Sequence, residues 1–181
     1  MNENLKTAVF AGGCFWCTEA VFQRLRGVKS VVSGYAGGDL ENPTYYQVMR
    51  GDTGHAESIK FEYDPEEISY RDLLEVFFAT HDPTTLNQQQ YDKGPEYRSI
   101  IFYSDEEQKS EAEKIVKELT DEGVYDKPIV TSIEPLKKFF PAEAEHLNFY
   151  NNNPNSPYCQ IIINPKIHKL KEKFASLLKE E

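Results

Sequence analysis

Hydrophobic and polar positions along this chain alternate between the period of a strand and that of a helix. Short apolar or alternating runs predict strands at residues 7–11, 28–35, 55–63, 97–103 and 129–133. Amphipathic or capped stretches predict helices at residues 14–26, 44–50, from 69, from 104, at 143–150 and at 165–181. Strands interleaved with helices indicate an α/β or α+β domain.

Two of these helices begin with predicted capping boxes, Ser69 with Asp72 and Ser104 with Glu107. The strand at 55–63 carries Glu57 in phase with its apolar positions, so one face of a half-buried strand includes a carboxyl group. Loops are predicted at residues 36–43 and 81–96, and an irregular stretch rich in Asn and Pro at 151–157.

Length and composition narrow the class of protein. The 181 residues, of which 39% are hydrophobic and 28% charged, suit one globular domain over residues 1–181 and exclude a disordered chain. A net charge of −10 makes nucleic acid and anionic membrane surfaces poor partners. Without a signal-like or membrane-spanning apolar run, we expect a cytoplasmic protein, and we expect a monomer.

The three cysteines are the first candidates for chemistry. Gly12 and Gly13 place Cys14 at the start of a helix, where the positive dipole end favours a thiolate and lowers the thiol pKa. Cys17 lies three residues further on, on the same helix face. It could be a redox partner of Cys14, half of a metal site or a small core residue. Cys159 follows a flexible-looking segment, which suits a resolving thiol on a mobile arm, although a partly buried position beside a strand at 161–163 is the alternative.

Glu57 is the second candidate for chemistry, and its position in the strand has two interpretations. If it points into the apolar face, burial raises its pKa and keeps it neutral, as a proton or hydrogen-bond donor requires. If it lies at the strand end in solvent, it is an ordinary surface acid. Four histidines, of which His55 is next to this strand, are expected to be mostly surface or structural residues.

At this point the chain resembles the A-type peptide methionine sulfoxide reductases. The signature Gly13-Cys14-Phe15-Trp16 is similar to the active-site motif of that family. Five further blocks follow in the family's order: 34–38 (GYAGG), 42–45 (NPTY), 51–57 (GDTGHAE), 81–84 (HDPT) and 97–99 (YRS). The resemblance implies a two-layer α/β sandwich on a mixed sheet with a ferredoxin-like core.

The resemblance also implies roles for particular residues. Cys14 matches the nucleophile, Glu57 the acid beside the sulfoxide oxygen and Cys159 the recycling cysteine on a C-terminal arm at about 151–181. Five positions match the substrate pocket: Phe15, Trp16, Tyr45, Asp92 and Tyr97. The implied reaction reduces methionine S-sulfoxide, free and in proteins, through a sulfenic acid, with thioredoxin or another dithiol as reductant and with no cofactor or metal.

Two departures from the family pattern bear on these expectations. The segment Gln88-Gln89-Gln90-Tyr91-Asp92 lacks a glycine and a cation found in the family, which leaves the shape of that loop open. Position 17 is often Gly in the family, so either Cys17 or Cys159 could resolve the oxidised nucleophile. Three other classes remain alternatives: a thiol-disulfide oxidoreductase using Cys14 and Cys17, a zinc-stabilised binding module and a Cys-His hydrolase.

Overall fold

The structure is a computed structural model that describes residues 4–180. Its strands are β1 (Lys6–Gly12), β2 (Val28–Ala36), β3 (Ala56–Tyr63), β4 (Gln88–Gln89), β5 (Asp92–Lys93), β6 (Ser99–Tyr103), β7 (Ser132–Pro135) and β8 (Phe139–Pro141). Its α-helices are α1 (Phe15–Phe22), α2 (Tyr45–Met49), α3 (Tyr70–Thr80), α4 (Glu106–Asp121), α5 (Phe149–Asn152) and α6 (Asn164–Lys173). Among these described residues, no helix is both long and apolar enough to cross a lipid bilayer.

Six strands form one mixed sheet in the order β7-β6-β1-β3-β2-β8. The pairs are antiparallel except β6 with β7, which run parallel. Helix α1 connects β1 to β2, and α3 lies between β3 and β6 along the chain. The central strand β1 therefore delivers the chain directly into α1 at its carboxyl end, which is where Gly12, Gly13 and Cys14 follow one another.

The main core lies between one face of this sheet and helices α1, α3, α4 and α6. Phe10 of β1 stands at its centre, with the rings of Phe22, Phe61 and Phe77 within 5.7 Å of it. A smaller cluster on the other face includes Val9 of the same strand. Because β1 is buried on both faces, its sequence is a continuous apolar run and not an alternating one.

Several predicted elements are confirmed. The strands expected at 7–11, 28–35 and 55–63 correspond to β1, β2 and β3, each within one residue at either end. Ser69 and Asp72 form the capping box of α3, with reciprocal side chain to backbone hydrogen bonds. Strand β3 alternates only in its second half, because its first four residues are buried on both faces.

Other predicted bounds are wrong. The N-cap of α4 is Asp105, which accepts a hydrogen bond from the Gln108 amide, and not Ser104. The strand expected at 97–103 begins at Ser99 because Pro95–Tyr97 form a 3₁₀ turn, and the strand expected at 129–133 lies at Ser132–Pro135. The helix expected at 14–26 ends at Phe22, and the one expected at 143–150 divides into a 3₁₀ turn at Ala144–His146 and helix α5.

The C-terminal segment is the largest correction. Residues Cys159–Ile163 form a turn of π-helix that continues into α6, so no strand is present at 161–163, and Cys159 is helical and buried. Cys159, Ile163 and Ile167 recur at helical spacing and pack in one cluster with Cys17 and Ala20 of α1. The apolar contact with α1 thus fixes a segment whose Asn and Pro content suggested flexibility.

Candidate active site

Cys14 is the N-cap residue of α1 and is partly exposed. The turn before it requires glycine at position 13, where φ is 95° and a Cβ atom would lie 2.5 Å from Cγ of Gln89. The backbone amide of Phe15, one of the unpaired donors at the helix start, is hydrogen-bonded to Glu57 at 3.0 Å and not to the Cys14 sulfur. Strand β1 and its glycine turn therefore place Cys14 next to the residue that binds Glu57, near enough for the Glu57 charge to raise the pKa of the Cys14 thiol.

Glu57 lies in β3 and is 1% exposed, which settles its position in favour of the apolar face. Burial is the largest cause that raises its pKa well above the usual value of 4.5, and the nearby acidic groups Asp92, Cys17 and Glu96 raise it further. The Phe15 hydrogen bond opposes this shift without reversing it. The raised pKa favours the protonated form of Glu57, whose proton a bound molecule can accept.

The thiols of Cys14 and Cys17 are hydrogen-bonded to each other, and each changes the pKa of the other. Burial is the largest cause that raises the pKa of Cys14, followed by its hydrogen bond to Cys17. That hydrogen bond is the largest cause that lowers the pKa of Cys17, to about 7, with Lys166 and Tyr158 also lowering it. The expected low pKa of Cys14 is thus wrong for the resting pair, because burial outweighs a helix terminus whose first amide is bound to Glu57.

Three tyrosine hydroxyls and one carboxyl group lie around the two sulfur atoms. Tyr45 begins α2, and burial followed by Glu57 and Cys14 raises its pKa to about 12, so its hydroxyl keeps its proton. The Tyr97 hydroxyl donates a hydrogen bond to Sδ of Met49 at 3.3 Å, and burial likewise raises its pKa. Asp92 accepts a hydrogen bond from the Tyr158 hydroxyl at 3.1 Å, and that hydroxyl lies 3.5 Å from the Cys17 sulfur.

Aromatic rings enclose this group of residues. Phe15 is fully buried against Tyr35 and His146, whereas Trp16 is partly exposed. The Trp16 indole N–H donates to Nδ1 of His146 at 3.2 Å, and its ring stacks on Phe149 with centroids 3.7 Å apart. Trp16 is thus held in one orientation by partners from the C-terminal third of the chain.

The structure brings together eight of the nine predicted site residues. The ninth, Cys159, lies in the apolar cluster behind Cys17. Cys159 is fully buried, in the cluster that also contains Cys17. The β4-β5 hairpin presents Asp92 to the site, and its turn residue Gln90 adopts φ 54° without a glycine. The departure at residues 88–92 therefore yields an ordered two-residue turn.

Sequence reasoning missed the segment 143–149. The Glu143 carboxylate accepts hydrogen bonds from the Tyr45 amide and the Tyr35 hydroxyl, and His146 stacks on Tyr45 with centroids 4.5 Å apart. The one usable signal is His146, close after Glu143 in a short segment in which polar and apolar residues are mixed. Their place beside Trp16 depends on β8, whose three residues are too few for a pattern to predict.

The remaining histidines do not support a Cys-His hydrolase. His55 is bonded to the Gly38 amide and the Leu40 carbonyl, while His81 is bonded to the Phe77 carbonyl and the Ser99 hydroxyl. His168 is an exposed partner of Glu172. Among residues 4–180, the side chains whose donor atoms could share a metal ion are Glu143, Glu145 and His146, and the cysteines are not part of that group.

A thiol pair at the start of a helix, facing a neutral buried acid and two protonated tyrosines, defines a thiol-dependent oxidoreductase. The profile of the family described as peptide methionine sulfoxide reductase matches residues 6–178. The chain therefore belongs to the peptide methionine sulfoxide reductase family, whose members are oxidoreductases that act on methionine sulfoxide.

Individual relatives agree with this assignment. The chain is 53% identical over 172 residues to the peptide methionine sulfoxide reductase MsrA of Deinococcus radiodurans, covering 95% of this chain and 84% of that protein. It is similar to the crystal structure of reduced Mxr1 from Saccharomyces cerevisiae, with 34% identity, a TM-score of 0.79 and coverage of 88% and 91% of the two chains. Mxr1 in complex with Trx2 matches with 28% identity, a TM-score of 0.57 and coverage of 81% and 86%.

Proposed function

We propose that this chain, as one catalytic unit over residues 1–181, reduces the S epimer of methionine sulfoxide to methionine, in free form and in proteins. The observation that carries the proposal is the place of a buried Glu57, whose pKa is raised well above its usual value, at the start of α1: it accepts a hydrogen bond from the Phe15 amide, next in the chain to the partly exposed Cys14, and its charge acts on the Cys14 thiol. A nucleophile for sulfur and an acid for oxygen are the two groups that sulfoxide reduction needs.

The oxygen of the sulfoxide is activated first. As the sulfur is attacked, its oxygen takes on negative charge, and a donor that is already neutral and fixed in place stabilises this charge without reorganisation. Glu57 is such a donor. The hydroxyl groups of Tyr45 and Tyr97 keep their protons as well; that of Tyr45 supplies a further donor, and that of Tyr97 can supply another by turning from Sδ of Met49 to the substrate.

The attacking thiolate comes from the hydrogen-bonded thiols of Cys14 and Cys17. Because the Cys14 thiol donates its hydrogen bond to Cys17, transfer of that proton leaves Cys14 as the thiolate and Cys17 as the thiol. The Cys14 sulfur then bonds to the sulfoxide sulfur, and the oxygen receives the Glu57 proton. Collapse transfers the hydroxyl group to Cys14, which becomes a sulfenic acid while the thioether leaves.

A second cysteine then resolves the sulfenic acid. We infer that Cys17 acts first, since its sulfur already contacts that of Cys14, and that Cys159, packed against Cys17, can exchange into the resulting disulfide. Attack of Cys17 on the sulfenic acid releases one water molecule, and attack of Cys159 on the Cys17 sulfur then releases the Cys14 thiol. An external dithiol reduces the enzyme again, and the Mxr1 complex with Trx2 supports thioredoxin in that role.

The selectivity for one epimer follows from three fixed points. The oxygen is held at Glu57, the reacting sulfur at Cys14 and the methyl group against Trp16, which cannot turn while His146 and Phe149 hold it. A tetrahedral sulfoxide sulfur can satisfy all three points in only one configuration. The strand order β6-β1-β3-β2 with α1 and α3 as connections also supports the ferredoxin-like core that the family resemblance implies.

The test is reduction of each methionine sulfoxide epimer by the purified protein, with dithiothreitol and with thioredoxin as alternative reductants. We expect turnover of the S epimer only and complete loss of it in Cys14→Ser. Insulin disulfide reduction without any action on methionine sulfoxide would instead identify a thiol-disulfide oxidoreductase.

Mass spectrometry after one equivalent of substrate identifies the resolving cysteine. We expect a disulfide between Cys14 and Cys17 in Cys159→Ser, together with one stoichiometric turnover and loss of cycling with thioredoxin. Full cycling of Cys159→Ser with thioredoxin would assign the whole resolving role to Cys17, and a free sulfenic acid in that variant would exclude Cys17 as first partner.

A further inference from the structure

A cavity of about 580 Å³ lies outside the candidate active site. It is bounded by the C-terminal end of α3, the loop after it, residues 125–127 and the N-terminal end of α6. Its volume falls in the range of small-molecule sites, roughly 300–1,000 Å³. Gln89 lines the cavity and also lies against Gly13, so one side chain separates this cavity from the turn that carries the nucleophile.

Lys166 is the unusual residue of this cavity. It is only 9% exposed, and among the residues that the structure describes its ammonium group has neither a hydrogen bond nor an ion pair. The negative groups whose pKa its charge lowers, Asp92 and Cys17, act on it without forming an ion pair, so among the described residues its ammonium group has no direct counter-charge. The missing partner of such a group is an anion.

Two further cations line the same cavity. Lys169 lies one turn after Lys166 on α6, and Lys127 lies on the opposite wall. The negative groups are Asp82 and Asp126, and Asp82 already accepts hydrogen bonds from the amide and hydroxyl of Thr84. In a chain with a net charge of −10, an excess of cations around one cavity runs against the overall charge.

Apart from the exposed side-chain amide of Gln90, the hydroxyl and amide donors named next on the cavity wall are already used within the protein. The hydroxyl of Thr80 donates to the Val76 carbonyl, that of Tyr125 donates to the Phe78 carbonyl, and the Gln89 amide donates to the Asp82 carbonyl. The ammonium groups are therefore the charged donors that a bound molecule can use, with the Gln90 amide as a neutral one. A ligand that matches them carries negative charge and not only neutral acceptors.

We propose that this cavity is a binding site for a small organic anion that carries carboxylate or phosphate groups, with Lys166 as its anchor and Lys169 as a second cation. Binding forms charge-assisted hydrogen bonds to a cation whose side chain is already held in the cavity wall, with 9% of its surface exposed. The site is distinct from the sulfoxide pocket, and its occupancy does not depend on the reduction chemistry.

The cavity and the sulfur pair share Lys166. Its positive charge lowers the pKa of Cys17 and that of Asp92, although other causes are larger in both cases. An anion on Lys166 cancels part of this charge, so its binding is expected to slow alkylation of Cys17 near neutral pH. The alkylation rate of Cys17 therefore gives a second measure of anion binding in the cavity.

Calorimetric titration of the full-length protein with inorganic phosphate and, separately, with citrate tests the proposal and distinguishes the two anion chemistries. Lys166→Met removes the anchor. Lys173→Gln is the matched control, because it removes one positive charge from an exposed position of the same helix. Circular dichroism spectra show whether each variant is folded, and Lys169→Gln is measured in the same way.

We expect saturable binding of at least one probe to the unmodified protein and to Lys173→Gln. The affinity should fall about tenfold or more in Lys166→Met, as expected for loss of a hydrogen bond between charged groups, and less in Lys169→Gln. Equal affinity in folded Lys166→Met, or no saturable binding of either probe, overturns the proposal. If Lys166→Met does not fold, unchanged affinity in Lys169→Gln overturns it. Binding of an acidic peptide but of neither small anion would also overturn it, in favour of a protein-docking face.

Discussion

At the scale of single residues, Glu57 carries most of the expected chemistry. Its carboxyl group combines near-complete burial with a hydrogen bond from the helix start, so it is both neutral and fixed. A glutamine at this position keeps an acceptor for the Phe15 amide and gains an N–H donor toward the substrate. The methyl side chain of an alanine at position 57 offers neither the acceptor nor the donor.

We therefore expect Glu57→Gln to keep much of the kcat/KM for the S epimer, while Glu57→Ala loses about 10² to 10³ of it. Steady-state assays with dithiothreitol measure both variants, and Glu62→Gln on the same strand, exposed and outside the site, is the control. Equal loss in both Glu57 variants would mean that proton transfer, and not a hydrogen bond, is the essential contribution.

The same residue predicts how stability depends on pH. Because the folded pKa of Glu57 is raised above the usual 4.5, the unfolded chain releases its proton at lower pH than the folded protein does. Above pH 4.5, rising pH therefore favours the unfolded state, by up to about 1.4 kcal/mol per pH unit until the folded group also ionises.

Glu57→Gln removes this effect. Urea denaturation at pH 5 and pH 8 should show that the stability of this variant relative to the unmodified protein increases at the higher pH. A difference that stays constant between the two pH values would mean that Glu57 is ionised in the folded protein.

At the scale of elements, α4 shows which of two neighbouring residues becomes the N-cap. Ser104 and Asp105 are both good N-cap residues by type, yet the Asp105 carboxylate binds the Gln108 amide while the Gln108 side chain binds the Ser104 amide. We expect Asp105→Ala to lower the free energy of unfolding by about 1 kcal/mol and Ser104→Ala to change it much less. Chemical denaturation of the two variants measures this difference, and a larger loss in Ser104→Ala would contradict the assignment.

Helix α1 is the element on which the site is built. Its first turn carries Cys14 and Cys17, and Glu19 in its second turn accepts hydrogen bonds from the Ser33 hydroxyl and the Phe149 amide. Through Glu19, α1 therefore holds both β2 and the segment that covers Trp16. The nucleophile and the aromatic wall are positioned by one short helix.

At the scale of the whole molecule, the C-terminal segment must open for external reductant to reach Cys159, which is fully buried. The Tyr158 hydroxyl links this segment to Asp92 and lies beside Cys17. Loss of that hydroxyl weakens the closed state by about 1 kcal/mol, which corresponds to about a fivefold increase in the open fraction.

We therefore expect Tyr158→Phe to raise the alkylation rate of Cys159 about fivefold under native conditions. Mass spectrometry of alkylated peptides measures this rate, with Tyr46→Phe as control, since Tyr46 is 80% exposed and remote from Cys159 in the chain. An unchanged rate in Tyr158→Phe would show that the apolar cluster around Cys159, and not this hydroxyl, limits opening.

The sequence was most informative where a local pattern has one structural outcome. The apolar run of β1, its double glycine and the box at Ser69 each depend on neighbouring residues alone, and all three are confirmed. Patterns failed at β8 and at residues 143–149. There, backbone pairing with β2 and contacts with Trp16, more than one hundred residues away, decide the conformation.

By itself, the sequence determined the order of the main elements, the place of Cys14 at a helix start and the family to which its motifs point, because these depend on residue type and spacing. The tertiary structure decided which way Glu57 faces, which thiol of the pair has the lower pKa and that Cys159 is packed against α1. Burial and long-range contacts set those three properties, and each depends on atoms that lie far apart in the chain.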